Sequence, residues 1–332
     1  MFCYGSRFLI SYTIPHSDSV HYLKLMTSAG APPSNTVSSS VLTGVVIAVL
    51  SMFLFSSTHT CVRYLTDTMT APQIVFWRML ISMAILMPYF AWKGLHLLKT
   101  QRPSMHMMRA IINFAGMIMW FYAIGVVPLG KAVAIHFTLP LFVILLAIVF
   151  LGERVGIRRT VATVIGFSGT LVVLQPGNLE VGWAELMILG SAALYAGTVI
   201  FLKFMVKTET PLALTFYTNF FILFLSLPLT IWLWVSPTID DILPILFIGV
   251  TGTLAPFMYT SALKMADASI IGPTDFLRLP ITSGFAFALF GEVPTIWVWI
   301  GGGVIFLSTW YITLRESRLE KQRRKQSPED NA

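Results

Sequence analysis

The sequence predicts an all-α polytopic membrane protein, with ten transmembrane helices arranged as two inverted five-helix repeats. Three observations carry that prediction. The chain of 332 residues is 56% hydrophobic and only 11% charged, against roughly 25% charge in a soluble domain. Its apolar residues fall into ten runs that meet or approach the roughly 20 residues a helix needs to cross hydrocarbon. A Leu-Pro…Gly-Glu pattern that closes the fourth run returns at the close of the ninth.

Residues 1–40 read as a disordered cytoplasmic extension, polar through "SAGAPPSNTVSSS" and broken by Pro15. Nothing upstream of Met26 reads as structural, so Met26 stands beside Met1 as an alternative start. The spans follow at 41–62, 71–92, 107–127, 132–151, 159–175, 183–204, 211–235, 242–262, 268–290 and 295–314, the fifth being the shortest. Residues 315–332 form a basic cytoplasmic tail that extends the last helix. The connecting loops are brief and leave no room for a soluble catalytic domain. Cys3 and Cys61 lie apart and suggest neither a disulfide nor a metal site. No ATP-binding motif and no cofactor motif is present.

The net charge of +7 does not point to nucleic acid, because of where the charges fall. With the amino terminus cytoplasmic, Lys93, Lys99, Arg102 and Arg109 flank the second loop, and Arg154, Arg158 and Arg159 the fourth. Lys203 and Lys207 flank the sixth, Lys264 the eighth, and "RESRLEKQRRKQ" is also inside. The opposite side receives only Arg63 and Lys131, with Asp240 and Asp241 in its seventh loop. Excess Lys and Arg mark cytoplasmic loops, so both termini are placed inside.

The duplication sets the topology. "LPLFVILLAIVFLGE" ends at Gly152 and Glu153, and "LPITSGFAFALFGE" ends at Gly291 and Glu292. Each is followed by a glycine-rich span. Five spans per half is odd, so the second half enters the membrane in the opposite sense. Inverted repeats with a midplane site are the architecture of secondary carriers.

This pattern resembles the drug/metabolite transporter superfamily, EamA type, over nearly the whole chain after residue 40. The resemblance rests on the ten spans, the two halves at 41–175 and 181–314, and the Pro140–Glu153 and Pro280–Glu292 endings. The proline-to-Gly-Glu spacing is one residue shorter in the second half, a departure that blurs the overlay of the halves. The charged and aromatic residues are similar to those of the bacterial branch that takes up S-adenosylmethionine-like metabolites. The resemblance implies an inner-membrane carrier of a small solute, coupled to a proton or to an exchanged metabolite. An exporter of amino acids or drug-like organic cations, and a channel or structural multispan protein, are the open alternatives, and a homodimer is an open oligomeric state.

Candidate site residues are those whose burial must be compensated. An ionised group in hydrocarbon costs at least about 2.5–3.5 kcal/mol, yet Asp275 and Arg278 lie roughly 10–15 Å deep on the ninth span. At i,i+3 they can pair, either to fasten the helix or to hold a solute. Arg78 on the second span reads either as a solute ligand or as a partner for a helix carbonyl. Pro140 and Pro280 each free the carbonyl four residues earlier, at His136 and Phe276, and kink the helix towards a wet cavity. His136 is either a packing residue or a ligand. Stripes of Asn113, Gly116 and Trp120, of Ser191, Tyr195 and Thr198, and of Gly252, Pro256 and Tyr259 line packing seams or a pocket. Gly166, Gly169, Gly301, Gly302 and Gly303 read as packing glycines, and Glu153 and Glu292 as ligands for neighbouring amides or basic groups. Arg78, Asp275 and Arg278 sum to +1, which favours a carboxylate, phosphate or zwitterion over a simple cation.

Overall fold

The computed structural model describes residues 39–94, 98–152, 157–174, 182–205, 208–266 and 268–326. The expected extension over 1–40 falls almost wholly outside them, as does Glu153. Among the described residues the chain is helical throughout. The helices are α1 (Ser39–Leu65), α2 (Ala71–Lys93), α3 (Pro103–Val126), α4 (Leu129–His136), α5 (Leu139–Leu151) and α6 (Ile157–Leu174). They continue with α7 (Trp183–Met205), α8 (Pro211–Trp232), α9 (Ile239–Met265) and α10 (Ala268–Ile271). A 3-10 turn (Gly272–Leu277) then leads into α11 (Arg278–Phe290) and α12 (Ile296–Gln326).

Eight segments among the described residues are long and apolar enough to cross a bilayer, counting Leu129–Phe150 as one. The helix Thr160–Leu174 is shorter, and the stretch 268–290 is divided into α10, the 3-10 turn and α11. α12 continues past the apolar stretch to Gln326, a helical extension of the last span.

Local chemistry explains the ends. Prolines open α2, α3 and α8, where the missing N–H has no intrahelical partner to lose. Thr238 and Asp241 form a capping box at the start of α9, each satisfying an amide that the first turn leaves unpaired. α5 and α11 end on Gly152 and Gly291, at φ 63° and 67°, the left-handed cap that glycine adopts without a Cβ clash. The two repeated Gly-Glu endings therefore share a backbone conformation as well as a sequence.

The prolines of the two Leu-Pro pairs do not kink continuous helices, contrary to the sequence expectation. α4 stops at His136, and Pro140 sits in the first turn of α5. Pro280 likewise occupies the first turn of α11, after the 3-10 turn. A proline costs least in a first turn, so the chain breaks ahead of it and restarts. Thr138 helps to close the first break by donating its hydroxyl to Ile135 O (2.8 Å), and Thr274 does the same to Ile271 O (2.6 Å) in the second.

α4 lies at the centre. Leu129, Ala132, Val133, Ala134 and Ile135 are all fully or almost fully buried, and the helix packs against α7, α11 and α12. Large apolar side chains turn outward elsewhere: Val149 is 72% exposed on α5 and Leu243 75% on α9, a surface suited to lipid. Close helix approach depends on small residues. Gly169 faces the Gly301 carbonyl across α6 and α12, Gly116 faces Leu194 and Ser191 of α7, Gly166 faces Leu141, and Gly302 faces Leu279. Gly303 meets nothing within 4 Å, so the packing role expected of it is not seen.

Candidate functional site

The two broken segments meet at the middle of the bundle. α4 packs on α11, and Phe137 and Phe276, one from each break, bring their rings to 5.9 Å. Polar groups gather on the two sides of this pair.

On one side is a cluster drawn from six helices. His59 (α1) meets Trp120 (α3) at 5.2 Å, Trp120 meets His136 (end of α4) at 4.5 Å, and His136 meets Tyr195 (α7) at 5.7 Å. Arg78 (α2) and Arg278 (start of α11) lie within electrostatic reach of His59 and Tyr195. Arg78 donates to Gly252 O (3.2 Å), reaches Met117 Sδ (3.5 Å) and faces the Phe121 ring at 6.0 Å. Among the described residues it has no carboxylate partner. A methyl at Gly252 would collide with its guanidinium, so the glycine is what lets Arg78 lie against α9.

Several polar atoms of this region are buried without a protein hydrogen bond among the described residues: His59 Nδ1, Arg78 Nε, Asn113 Oδ1, His136 Nε2, Ser191 Oγ and Arg278 Nε. Natural cores rarely leave such atoms unpaired, and a concentration of them marks a place where water or a solute supplies the missing bonds. Thr198, by contrast, is satisfied within α7 by Tyr195 O.

On the other side is a cavity of about 300 Å³, walled by Phe137, Tyr259, Asp275, Phe276, Phe306 and Trp310, with Pro140 and three α12 and turn residues between them. It lies towards the end of the bundle that carries Leu263 and Thr313. Asp275 and Arg278 pair as expected, Arg278 Nη1 to Asp275 Oδ1 at 3.3 Å. The acid is the accessible partner: its side chain is 40% exposed, against 16% for Arg278, whose guanidinium stacks over Phe55 at 5.2 Å.

The far end of the bundle is tied shut. Glu292, in the connection between α11 and α12, accepts the Leu129 backbone N–H at 2.8 Å, in effect capping α4, and faces Arg63 at 3.7 Å. Lys131 bonds Glu185 at 2.8 Å, and Gly130 is pressed against Ser283 and Pro294. The structure thus brings Arg78, Trp120, His136, Tyr195 and Arg278 into one cluster; Asn113, two turns from Trp120 on α3, has a buried oxygen without a partner among the described residues but no recorded contact with the cluster. It sets Tyr259, Asp275 and Pro140 around the cavity beside it. Sequence reasoning missed His59, the Phe137–Phe276 pair and the α12 wall of Phe306 and Trp310. His136 was signalled by its place in an apolar run, whereas His59, in "SSTHTCVRY", carried no such signal.

Among the described residues no group of His, Cys, Asp and Glu could hold a metal ion. Helices, a buried basic cluster and a cavity suit passage of a solute, and comparison with known proteins decides the matter. The EamA-like transporter family matches residues 42–175 and 182–314. The chain belongs to that family. It is 30% identical to the S-adenosylmethionine uptake transporter of Rickettsia conorii, over 86% of this chain and 97% of that one. It is also 30% identical to the riboflavin transporter of Rhizobium johnstonii, over 89% and 97%. The pseudopaline exporter of Pseudomonas aeruginosa shares 26% identity over 80% and 93%. A solved crystal structure with 17% identity superposes with a TM-score of 0.56, covering 86% of this chain and all of the other, which supports the fold. This EamA-like protein is a multi-pass membrane transporter of small molecules and not an enzyme.

Proposed function

We propose that this EamA-like transporter is a secondary-active carrier of a small polar organic metabolite, anionic or zwitterionic and amino-acid- or nucleoside-like, in a bacterial inner membrane. The observation that carries this reading is Arg78, half-buried within the bundle, whose partners among the described residues are all neutral. A guanidinium held this way keeps its charge available, and a carboxylate or phosphate satisfies it better than any other solute group. Names among its relatives make S-adenosylmethionine and riboflavin the first solutes to assay, and the exporter among them makes the direction of flux something to read in the same assay.

Alternating access follows from the repeat. Ten passages are obtained by taking α4 with α5, and α10 with α11, as single crossings, and five per half makes the halves inverted. With the Lys- and Arg-rich ends cytoplasmic, the cavity faces the cytoplasm and the Glu292 closure lies outside. Outward opening then requires Glu292 to release Leu129 and Arg63 while the Phe137 and Phe276 rings change neighbours. Asp275, exposed in the cavity and paired with Arg278, is placed to exchange a proton or a solute contact during the cycle.

The test is uptake into proteoliposomes. Saturating flux with counterflow is expected, and Arg278→Ala should abolish it while membrane abundance stays near wild type. Non-saturating conductance would exclude a carrier. Loss of the protein itself in Arg278→Ala would assign the Asp275–Arg278 pair to holding the fold.

A further inference from the structure

We propose that the 300 Å³ cavity is a subsite for the cationic end of a bipolar solute, an onium or protonated amine group, set opposite the arginine cluster that takes the anionic end. The proposal rests on the carrier reading and narrows it, from anion or zwitterion to a solute with both charges. Among the described residues that line the cavity Asp275 is the one charged side chain, and no Lys, Arg or His joins it. Arg278 engages Asp275 Oδ1 but stacks away over Phe55 and is not part of the wall. An anion here would face the carboxylate first.

Five of the lining residues are aromatic: Phe137, Tyr259, Phe276, Phe306 and Trp310. Ring faces attract cations, and an acid ringed by aromatics is a general solution for binding quaternary ammonium groups. The volume is at the low end of small-molecule pockets, which run from roughly 300 to 1,000 Å³. It suits one end of a metabolite better than the whole. Thr309 Oγ1, in the same wall, is buried with no partner among the described residues and can accept from a protonated amine. Arg278, bonded to Asp275, and Arg78, which with it lies in electrostatic reach of Tyr195, supply the opposite sign.

The test uses choline and 3,3-dimethylbutan-1-ol, which differ only in nitrogen for carbon and hence in charge. Binding of each to the purified full-length chain in nanodiscs is measured by equilibrium dialysis. Choline should bind at least about tenfold more tightly than the alcohol. Asp275→Asn should erase that preference. Trp310→Leu should weaken choline several-fold, while Trp232→Leu, at the lipid-facing end of α8, should not. Equal binding of the two probes, no choline binding, or an undiminished preference in Asp275→Asn overturns the proposal. If Asp275→Asn does not fold, the wild-type comparison and Trp310→Leu still decide. Discs of phosphatidylglycerol with and without phosphatidylcholine separate a dissolved cation from a lipid headgroup: choline affinity should match in both, and its loss in phosphatidylcholine discs assigns the cavity to lipid. Flux of an acidic metabolite without choline preference defeats this proposal alone. Choline preference without saturable flux defeats the carrier reading alone.

Discussion

Arg78 can lie along α9 only because position 252 has no side chain. Its Nη2 bond to Gly252 O and its approach to the same residue's Cα leave no space for a methyl group. Gly252→Ala should therefore move the guanidinium without removing its charge, and flux should fall by about tenfold or more, since displacement near 1 Å at a binding site has effects of that order. Gly303→Ala, where a Cβ meets nothing, should transport like wild type. Proteoliposome flux normalised to inserted protein measures both, and equal flux in the two variants would mean that the position of Arg78 is unimportant. At this scale the sequence was legible where cost was highest: Arg78, Asp275 and Arg278 stood out because charge in an apolar run demands compensation. His59 did not stand out, because "SSTHTCVRY" reads as the polar end of a span. Depth depends on which neighbours cover a side chain, and only packing against Trp120 puts His59 in the cluster.

Each of the repeated Leu-Pro…Gly-Glu elements begins after a break and ends on a left-handed glycine, so the motif encodes a short helix with two defined ends. Pattern alone supplied the helix and its repeat. It did not supply the break, because a proline in an apolar run looks the same whether it kinks a helix or starts one; the first-turn position is settled by tertiary contacts. Nor could spacing reveal that Glu292 caps α4, more than 160 residues away in sequence. A carboxylate at a helix N-terminus gains from the unpaired amides and the helix dipole. Arg63 contributes only a partly exposed ion pair at 3.7 Å, worth about 0–1 kcal/mol. Glu292→Ala should thus destabilise the protein by about 1–2 kcal/mol, more than Arg63→Ala. Thermal unfolding in detergent compares them, and equal losses would show that the ion pair, not the cap, is what Glu292 provides.

Across the whole molecule the halves are joined differently at the two ends. The Glu292 end is held by a helix cap and ion pairs between elements that the proposed alternating access would separate. The other end has its own tie: Glu209, in the turn between α7 and α8, accepts from the Thr100 hydroxyl (2.9 Å) and the Gln101 N–H (3.3 Å) and lies 3.5 Å from His106 Nε2. This links the turn of the second half to the entry of α3 in the first. Burial by itself would raise the Glu209 carboxyl, but the Thr100 and Gln101 donors and His106 outweigh it and hold the group below its usual value of about 4.5. A carboxyl depressed in the folded state stabilises that state fully above the unfolded value, and the contribution is lost as pH falls through the folded value. The melting midpoint of wild type should therefore exceed that of Glu209→Gln throughout the range from pH 7 down to about 4.5, where His106 gains its proton beside the ionised Glu209 only in wild type. Below that the margin should shrink, as protonation gives wild-type Glu209 the neutral state of the variant. Unfolding scans across pH 3–7 measure it. A margin as wide at pH 3 as at pH 7 would mean that Glu209 acts through shape and hydrogen bonding rather than through its charge, and that this end is not tied electrostatically.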